Sequence, residues 1–258
     1  MMFIYSGTGN SYHVARRIAD ALDHKIIDMA VAHRYNRHTY DAEGGDVIFV
    51  VPVYCMGLPH TVMEFASKLD VRNPGKVYCV STFAGSSGVE AHQLSEQLNG
   101  RLTVDGCFGV RMPNNAVSYS EPPTPEEASE ILAQADAETD SIIERIRNGD
   151  VGDMRTIRYE GDDGDGMYAG YEDFRVTEHF HVNDRCIECR VCEEVCNTRV
   201  IKIYHRKPVW DEEKCDMCMS CLNLCPKQAI EYGDSTQGRR RYFHKDYKNK
   251  VLGIPLRY

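Results

Sequence analysis

The sequence predicts two architectures in one chain: an α/β domain with a doubly wound, five-stranded parallel sheet over residues 1–149, and a small α+β cysteine-rich domain over 179–232. Short apolar runs alternate with amphipathic helical patterns through the first half. In the second half a set of four cysteines recurs with a shift of 29 positions. Between them, residues 150–178 lose both patterns and turn acidic and glycine-rich around Glu160-Gly161-Asp162-Asp163-Gly164-Asp165-Gly166, the composition of a mobile connector. A tail over 233–258 closes the chain.

Each element has its own signal. Phe3-Ile4-Tyr5 is a first strand, and Val14, Ala15, Ile18, Ala19 and Leu22 share one face of the helix after it. Lys25 to Asp28 reads as a second strand. Val47 to Val51 is an unbroken apolar run, as a strand buried on both faces requires. A helix over Thr61–Leu69, a strand over Lys76–Thr82, a helix over Val89–Leu98 and a fifth strand around Leu102–Val110 continue the alternation. The last helix is bounded by Thr124 as N-cap, Pro125 at the first position, Glu127 completing a Thr-x-x-Glu capping box, and Gly149 at the C-terminal cap.

Charge and hydropathy remove several function classes. The net charge of −9, with no extended basic surface, argues against nucleic acid as a partner. Arg239, Arg240, Arg241, Lys245, Lys248 and Lys250 crowd the tail, which reads as a solvated or partner-docking segment. No apolar run approaches the roughly 20 residues of a membrane-spanning helix. The apolar start Met1–Tyr5 breaks at Ser6-Gly7-Thr8-Gly9, too short for a signal-peptide core. The expected compartment is the cytoplasm, with no membrane partner, so the eleven cysteines are read for metal rather than disulfides. Cys79 and Cys107 fall in strands and read as small apolar residues, and Cys55 as a bystander. The acidic connector lacks the ligand spacing of an EF-hand. The ten histidines show no paired metal spacing and receive no role.

Each cysteine set reads Cys-x2-Cys-x2-Cys-x3-Cys: Cys186, Cys189, Cys192 and Cys196, then Cys215, Cys218, Cys221 and Cys225. Three thiolates at this spacing can wrap one corner of an iron–sulfur cubane, while the fourth lies on a helical turn pointing elsewhere. Zinc takes its four ligands in two separated pairs, unlike this grouping of three plus one. Residues 179–232 resemble a bacterial two-cluster ferredoxin, with one departure: Pro226 follows Cys225, but Asn197 follows Cys196. The resemblance implies two [4Fe–4S] clusters and one-electron transfer. It also implies crossed ligand sets, Cys186, Cys189, Cys192 with Cys225 and Cys215, Cys218, Cys221 with Cys196. A domain this small is expected to depend on its clusters for folding.

Ser6-Gly7-Thr8-Gly9-Asn10-Ser11 lies between the first strand and the first helix. Its glycines let successive N–H groups converge, and the helix N-terminus and three hydroxyls add to a phosphate site. A Walker A loop would need Lys where Asn10 stands, and the dinucleotide fingerprint would need a small residue at Tyr12. The loop resembles the FMN-phosphate loop of flavodoxins. Two further loops leave the carboxyl edge of the sheet beside the switch point, where ligands bind in such folds. One carries Pro52, Val53, Tyr54 and Gly57; the other carries Thr82, Phe83, Ala84, Gly85 and Gly88. The resemblance, over roughly residues 2–148, implies that these loops flank the flavin ring, with Tyr54 and Phe83 as the aromatic faces.

The whole chain therefore resembles a fusion of a flavodoxin-like domain with a bacterial-type ferredoxin. The expected function is electron transfer between two [4Fe–4S] clusters and FMN, in exchange with redox partner proteins. Two rivals stay open. One is a flavin-dependent reductase of a small organic substrate, its pocket lined by Tyr119 and Met112-Pro113-Asn114-Asn115. The other is a ferredoxin carrying a cofactor-free, flavodoxin-like docking domain.

Overall fold

The computed structural model of the chain describes residues 1–161 and 164–247. The strands of the first half are β1 (Met2–Ile4), β2 (Ile26–Asp28), β3 (Thr39–Asp41), β4 (Val47–Pro52), β5 (Asp70–Arg72), β6 (Val77–Phe83), β7 (Gly106–Arg111) and β8 (Gly152–Asp153). The helices are α1 (Asn10–Leu22), α2 (Met29–Arg34), α3 (His60–Lys68), α4 (Glu90–Leu98) and α5 (Pro125–Asn148). The main sheet runs β2-β1-β4-β6-β7, every pair parallel, and β8 adds two residues beyond β7. Counting the five principal strands in chain order gives 2-1-3-4-5, the flavodoxin-like doubly wound order, with its switch point between β1 and β4.

Two apolar layers hold this sheet. On one face Phe3, Phe49 and Phe65 pack as neighbours, with ring centroids 5.3 Å apart for Phe3–Phe49 and 5.5 Å for Phe3–Phe65. Val62 of α3 and Leu94 of α4 belong to the same layer. The other face packs Ile4, Val50 and Val80 against Val14 and Ile18 of α1 and Ile143 of α5. β4 and β6 are buried at every position because helices cover both faces, which explains their unbroken apolar sequence. The N-terminus of α5 has both capping bonds: Glu127 N–H donates to Thr124 Oγ1 at 3.2 Å, and Thr124 N–H to Glu127 Oε2 at 2.8 Å.

Residues 150–178 carry β8 and two short helices, α6 (Gly164–Ala169) and α7 (Tyr171–Phe174). Asp162 and Asp163, at the centre of the acidic stretch, lie outside the described residues. Tyr171 is fully buried, and its hydroxyl donates to the Asp216 carbonyl at 2.8 Å.

The cysteine-rich half is built from β9 (Phe180–Val182), α8 (Val191–Glu194), β10 (Ile201–Tyr204), β11 (Lys207–Trp210), α9 (Ser220–Asn223) and β12 (Ile230–Tyr232). β10 and β11 form a hairpin, and β9 pairs antiparallel with β12. The sequence repeat is also a backbone repeat. Glu188, Arg190 and Arg199 have left-handed φ values of 63°, 63° and 59°; Met217, Met219 and Gln228, their equivalents in the second copy, have 52°, 57° and 47°. Left-handed conformation in non-glycine residues costs free energy. Its recurrence at the same three positions marks a chain curled the same way twice. No helix among the described residues is long and apolar enough to cross a membrane.

Phe49 stands fully buried at the centre of one layer. Phe49→Ala should cost about 3–5 kcal/mol of stability, measured as a lowered urea midpoint; an unchanged midpoint would contradict the packing described.

Candidate functional site

Two groups of thiols dominate the second half. Cys186, Cys189, Cys192 and Cys225 line one cavity, walled by Ile203, Pro208 and Ile230. Burial pushes the Cys192 thiol up to about 12, and Cys225, Cys189 and Cys186 push in the same direction. The Cys221 thiol is raised well above its usual value, first by burial and then by Cys218, Cys196 and Cys215, with Cys192 of the first triplet last. The fourth cysteine of each repeat thus lies with the triplet of the other repeat. Buried thiols of this kind stay protonated unless a metal supplies the compensating charge. Further donors reach the sulfurs: Met217 N–H to Cys215 Sγ at 3.3 Å, and Ala229 N–H to Cys225 Sγ at 3.2 Å. Ser220 Oγ stands 3.2 Å from Cys218 Sγ. Two sets of four sulfurs with N–H donors around them suit the chemistry of a [4Fe–4S] cluster.

The glycine loop lies directly against the second set. Ser6 through Ser11 are all buried. Ser220 Oγ donates to the Gly7 carbonyl at 2.6 Å, and Asn197 Nδ2 to the Ser6 carbonyl at 3.1 Å. A β-carbon on Gly7 would fall 2.6 Å from the Cys218 carbonyl oxygen, so only glycine allows this approach. Asp216 clamps the same junction: its Oδ2 accepts from the Tyr5 hydroxyl at 2.6 Å, and its Oδ1 from Thr61 N–H at 3.3 Å.

The C-terminal segment covers the rest of the loop. His244 N–H donates to the Thr8 carbonyl at 2.8 Å, and the Tyr247 hydroxyl to the Ser6 carbonyl at 3.2 Å. The Tyr242 hydroxyl reaches Asn10 Oδ1 at 3.1 Å. The tail arginines bond to the chain itself, while Arg240 and Lys245 also remain exposed to solvent as their clustering suggests. Arg239 donates to the Val117 carbonyl, Arg240 to that of Pro122, and Arg241 forms a buried pair with Glu231. Lys248 and Lys250 lie outside the described residues.

The loop hydroxyls expected on a phosphate are engaged inside the protein. Ser6 Oγ accepts from the N–H groups of Gly9 and Tyr12, Thr8 Oγ1 accepts from Asn115 Nδ2, and Ser11 Oγ meets Thr82 Oγ1 at 2.8 Å. Asn10 Nδ2 donates to the Pro113 carbonyl. What is left over is backbone. Among the described residues, the N–H groups of Gly7, Thr8, Asn10 and Ser11 have no acceptor. The Tyr54 hydroxyl is likewise buried without a partner and lies 2.9 Å from where a Gly7 β-carbon would stand. Unfilled donors at the N-terminus of α1 fit the phosphate end of a flavin nucleotide.

The two outer loops are placed unequally. Pro52 ends β4, and Val53 N–H donates to the Thr82 carbonyl. Tyr54 and Gly57 bond each other across a tight turn, with Cys55 and Met56 at positive φ, and the Tyr168 ring fills the space above Gly57. In the other loop, Phe83 does not turn toward Tyr54. It is 5 % exposed, with its ring laid over Gly109 of β7, because the missing side chain there leaves the room. The Ala84 carbonyl accepts from Arg111, Gly85 is open, and Gly88 is held at both ends, by Glu90 on its N–H and Arg155 on its carbonyl. Tyr119, expected to line a substrate pocket, is 84 % exposed, whereas Met112 is buried.

Residues 183–230 match the family described as a 4Fe-4S dicluster domain. Over 46 residues, 18 % of this chain, the sequence is 39 % identical to a component of an ion-translocating oxidoreductase complex from Methanosarcina acetivorans, of which it spans 17 %. Among solved structures, a rubredoxin:oxygen oxidoreductase from Desulfovibrio gigas aligns with 56 % of this chain and 36 % of its own length, at 17 % identity and a TM-score of 0.34. The Trp repressor binding protein of Bacillus subtilis aligns with 58 % of this chain and 99 % of its own length, at 15 % identity and the same TM-score of 0.34. The fold of the first half rests on its strand order and not on these two alignments.

Cys196→Ala should damage the cluster bound by Cys215, Cys218 and Cys221, and leave the one nearer in sequence intact. Site-resolved spectroscopy finding the loss at the Cys186 set would reverse the assignment. Gly9 adopts φ 102°, and a β-carbon there would stand 2.3 Å from Tyr247 Cβ and 2.9 Å from His244 Cβ. Gly9→Ala should therefore expel residues 242–247 and speed tryptic cleavage after Lys245; an unaltered cleavage rate would contradict the close contact.

Proposed function

We propose that this chain, a flavodoxin-like α/β domain joined to a 4Fe-4S dicluster ferredoxin domain, transfers electrons between two [4Fe–4S] clusters and FMN, in exchange with redox partner proteins. The observation that carries the reading is the contact of Cys218 and Ser220 with Gly7. A ligand loop of the second cysteine set touches the loop assigned to the FMN phosphate. When bound, the clusters supply one-electron steps and FMN the exchange between one- and two-electron chemistry.

The chain's own groups have separate tasks. Gly7, Thr8, Asn10 and Ser11 offer backbone N–H groups to the phosphate, and Tyr54 offers its hydroxyl. The hydroxyls of Ser6, Thr8 and Ser11 hold the loop in shape rather than meeting the ligand. Tyr5, Thr61 and Asp216 fix the second cysteine loop against the sheet edge, so the spacing between the redox groups is set by buried bonds. The cover formed by residues 242–247 keeps water from the loop. That same cover favours a second reading, in which the α/β domain docks the ferredoxin half without binding flavin.

One measurement tests the ferredoxin half common to both readings, and a second separates them. Anaerobically purified protein should contain about eight irons and as many acid-labile sulfides; zinc in their place after reconstitution would remove the ferredoxin function. In fluorescence titrations FMN should bind and riboflavin, lacking the phosphate, far more weakly. Tyr54→Phe should weaken FMN by about tenfold, since a hydrogen bond to a charged group is worth about 1.5–3 kcal/mol and tenfold corresponds to about 1.4. Equal binding of the two flavins, or none, selects the docking reading.

A further inference from the structure

We infer that His13, His244 and Asp246 form a binding site for a divalent transition-metal ion, which ties the C-terminal segment to α1. One donor atom of each lies within 4.8 Å of the other two. Asp246 Oδ2 stands 3.2 Å from His13 Nδ1 and 3.7 Å from His244 Nδ1. Neighbouring ligand atoms on a tetrahedral zinc, bound at about 2.0–2.1 Å, stand about 3.4 Å apart. The carboxylate is therefore already spaced from His13 Nδ1 as a shared cation requires, while His244 Nδ1 now accepts from Asp246 N–H at 3.3 Å. Two imidazoles and one carboxylate, with a water in the fourth position, suit Zn²⁺, Co²⁺ or Ni²⁺ and not Mg²⁺ or Ca²⁺.

A fourth residue prepares His13 for this role. Its Nε2 lies 2.7 Å from Asp136 Oδ1 on α5. By accepting a hydrogen bond from Nε2–H, that carboxylate favours the tautomer whose Nδ1 lone pair is directed toward Asp246 and His244. Carboxylate–histidine–metal arrangements fix ligand tautomers in this way. The competing account is an imidazolium of His13 bridging Asp136 and Asp246, which makes no use of His244. His244 is 2 % exposed, and its ring stacks on that of His13 with centroids 4.1 Å apart. Stacked imidazoles cannot both direct lone pairs at one ion, so metal entry must turn the His244 ring out of the stack.

The site lies beside the glycine loop but does not depend on flavin. The His244 N–H bonds the Thr8 carbonyl, so a cation held by the His244 and Asp246 side chains fastens the cover over the loop.

The test uses anaerobic holoprotein with both clusters loaded, dialysed against Zn²⁺ and analysed for metal. About one zinc per chain should bind with iron content and cluster absorbance unchanged. Asp246→Asn and His244→Ala should each weaken it at least tenfold. Asp136→Asn, which removes no ligand, should weaken it about 10–100-fold. Zinc should also slow tryptic cleavage after Lys245 in the wild-type chain and not in Asp246→Asn. No zinc bound, zinc bound only at the expense of iron, or equal binding by Asp246→Asn would each overturn the site.

Discussion

The close approach of Gly7 to Cys218 governs the arrangement of the whole chain. It places the second cysteine loop on the carboxyl edge of the parallel sheet, the edge where doubly wound folds bind ligands. The contact is polar and backbone-based. Ser220 supplies a donor to Gly7, Asn197 one to Ser6, and Asp216 accepts from Tyr5 and Thr61. The neutral bonds of Ser220 and Asn197 add only about 0.5–1.5 kcal/mol each and those to the Asp216 carboxylate about 1.5–3, but leaving a buried partner unmatched costs as much or more. The junction therefore specifies one orientation of the two halves more strongly than it adds stability.

Burial divides the two cysteine sets. Cys186, Cys189 and Cys225 are partly exposed and only Cys192 of that set is buried, whereas Cys196, Cys215 and Cys221 are buried and only Cys218 of theirs is partly exposed. With the crossed ligand sets proposed above, the first cluster faces outward and the second faces the α/β domain. Under the proposed function, an electron arriving from a partner would meet the outer cluster first, and the inner one would stand between it and the glycine loop. The repeat supplies two equivalent cluster-binding turns, but the flavodoxin-like sheet makes them inequivalent by covering one.

Features governed by local physics were legible in the sequence. The capping box around Thr124 and Glu127 depends on residues three apart, and both of its bonds are present. The unbroken apolar run Val47–Val51 follows from helices on both faces of the sheet. Cysteine spacing announced the cluster domain because ligation requires it. The sequence did not announce α2 or the β3–β5 pair, whose few residues are too short for a period to develop. Phe83 differs from expectation for another reason. Its position at the end of a strand suggests the loop, but the face it takes depends on Gly109, on the neighbouring strand.

The contacts that matter most for function were the least legible, because they join residues far apart in the chain. Nothing near Gly7 signals Cys218, and nothing near His13 signals His244 or Asp246. A metal motif on a single helix shows itself by its spacing, whereas here one donor comes from α1 and two from the far end of the chain. The same holds for the tail arginines, whose clustering reads as a charged surface. Arg239 and Arg240 instead meet carbonyls at Val117 and Pro122 that no strand satisfies, and Arg241 meets the buried Glu231. A basic cluster is a docking surface only when the rest of its own chain leaves it free, and in this fold the carbonyls of Val117 and Pro122 and the carboxylate of Glu231 draw the three arginines back onto the protein.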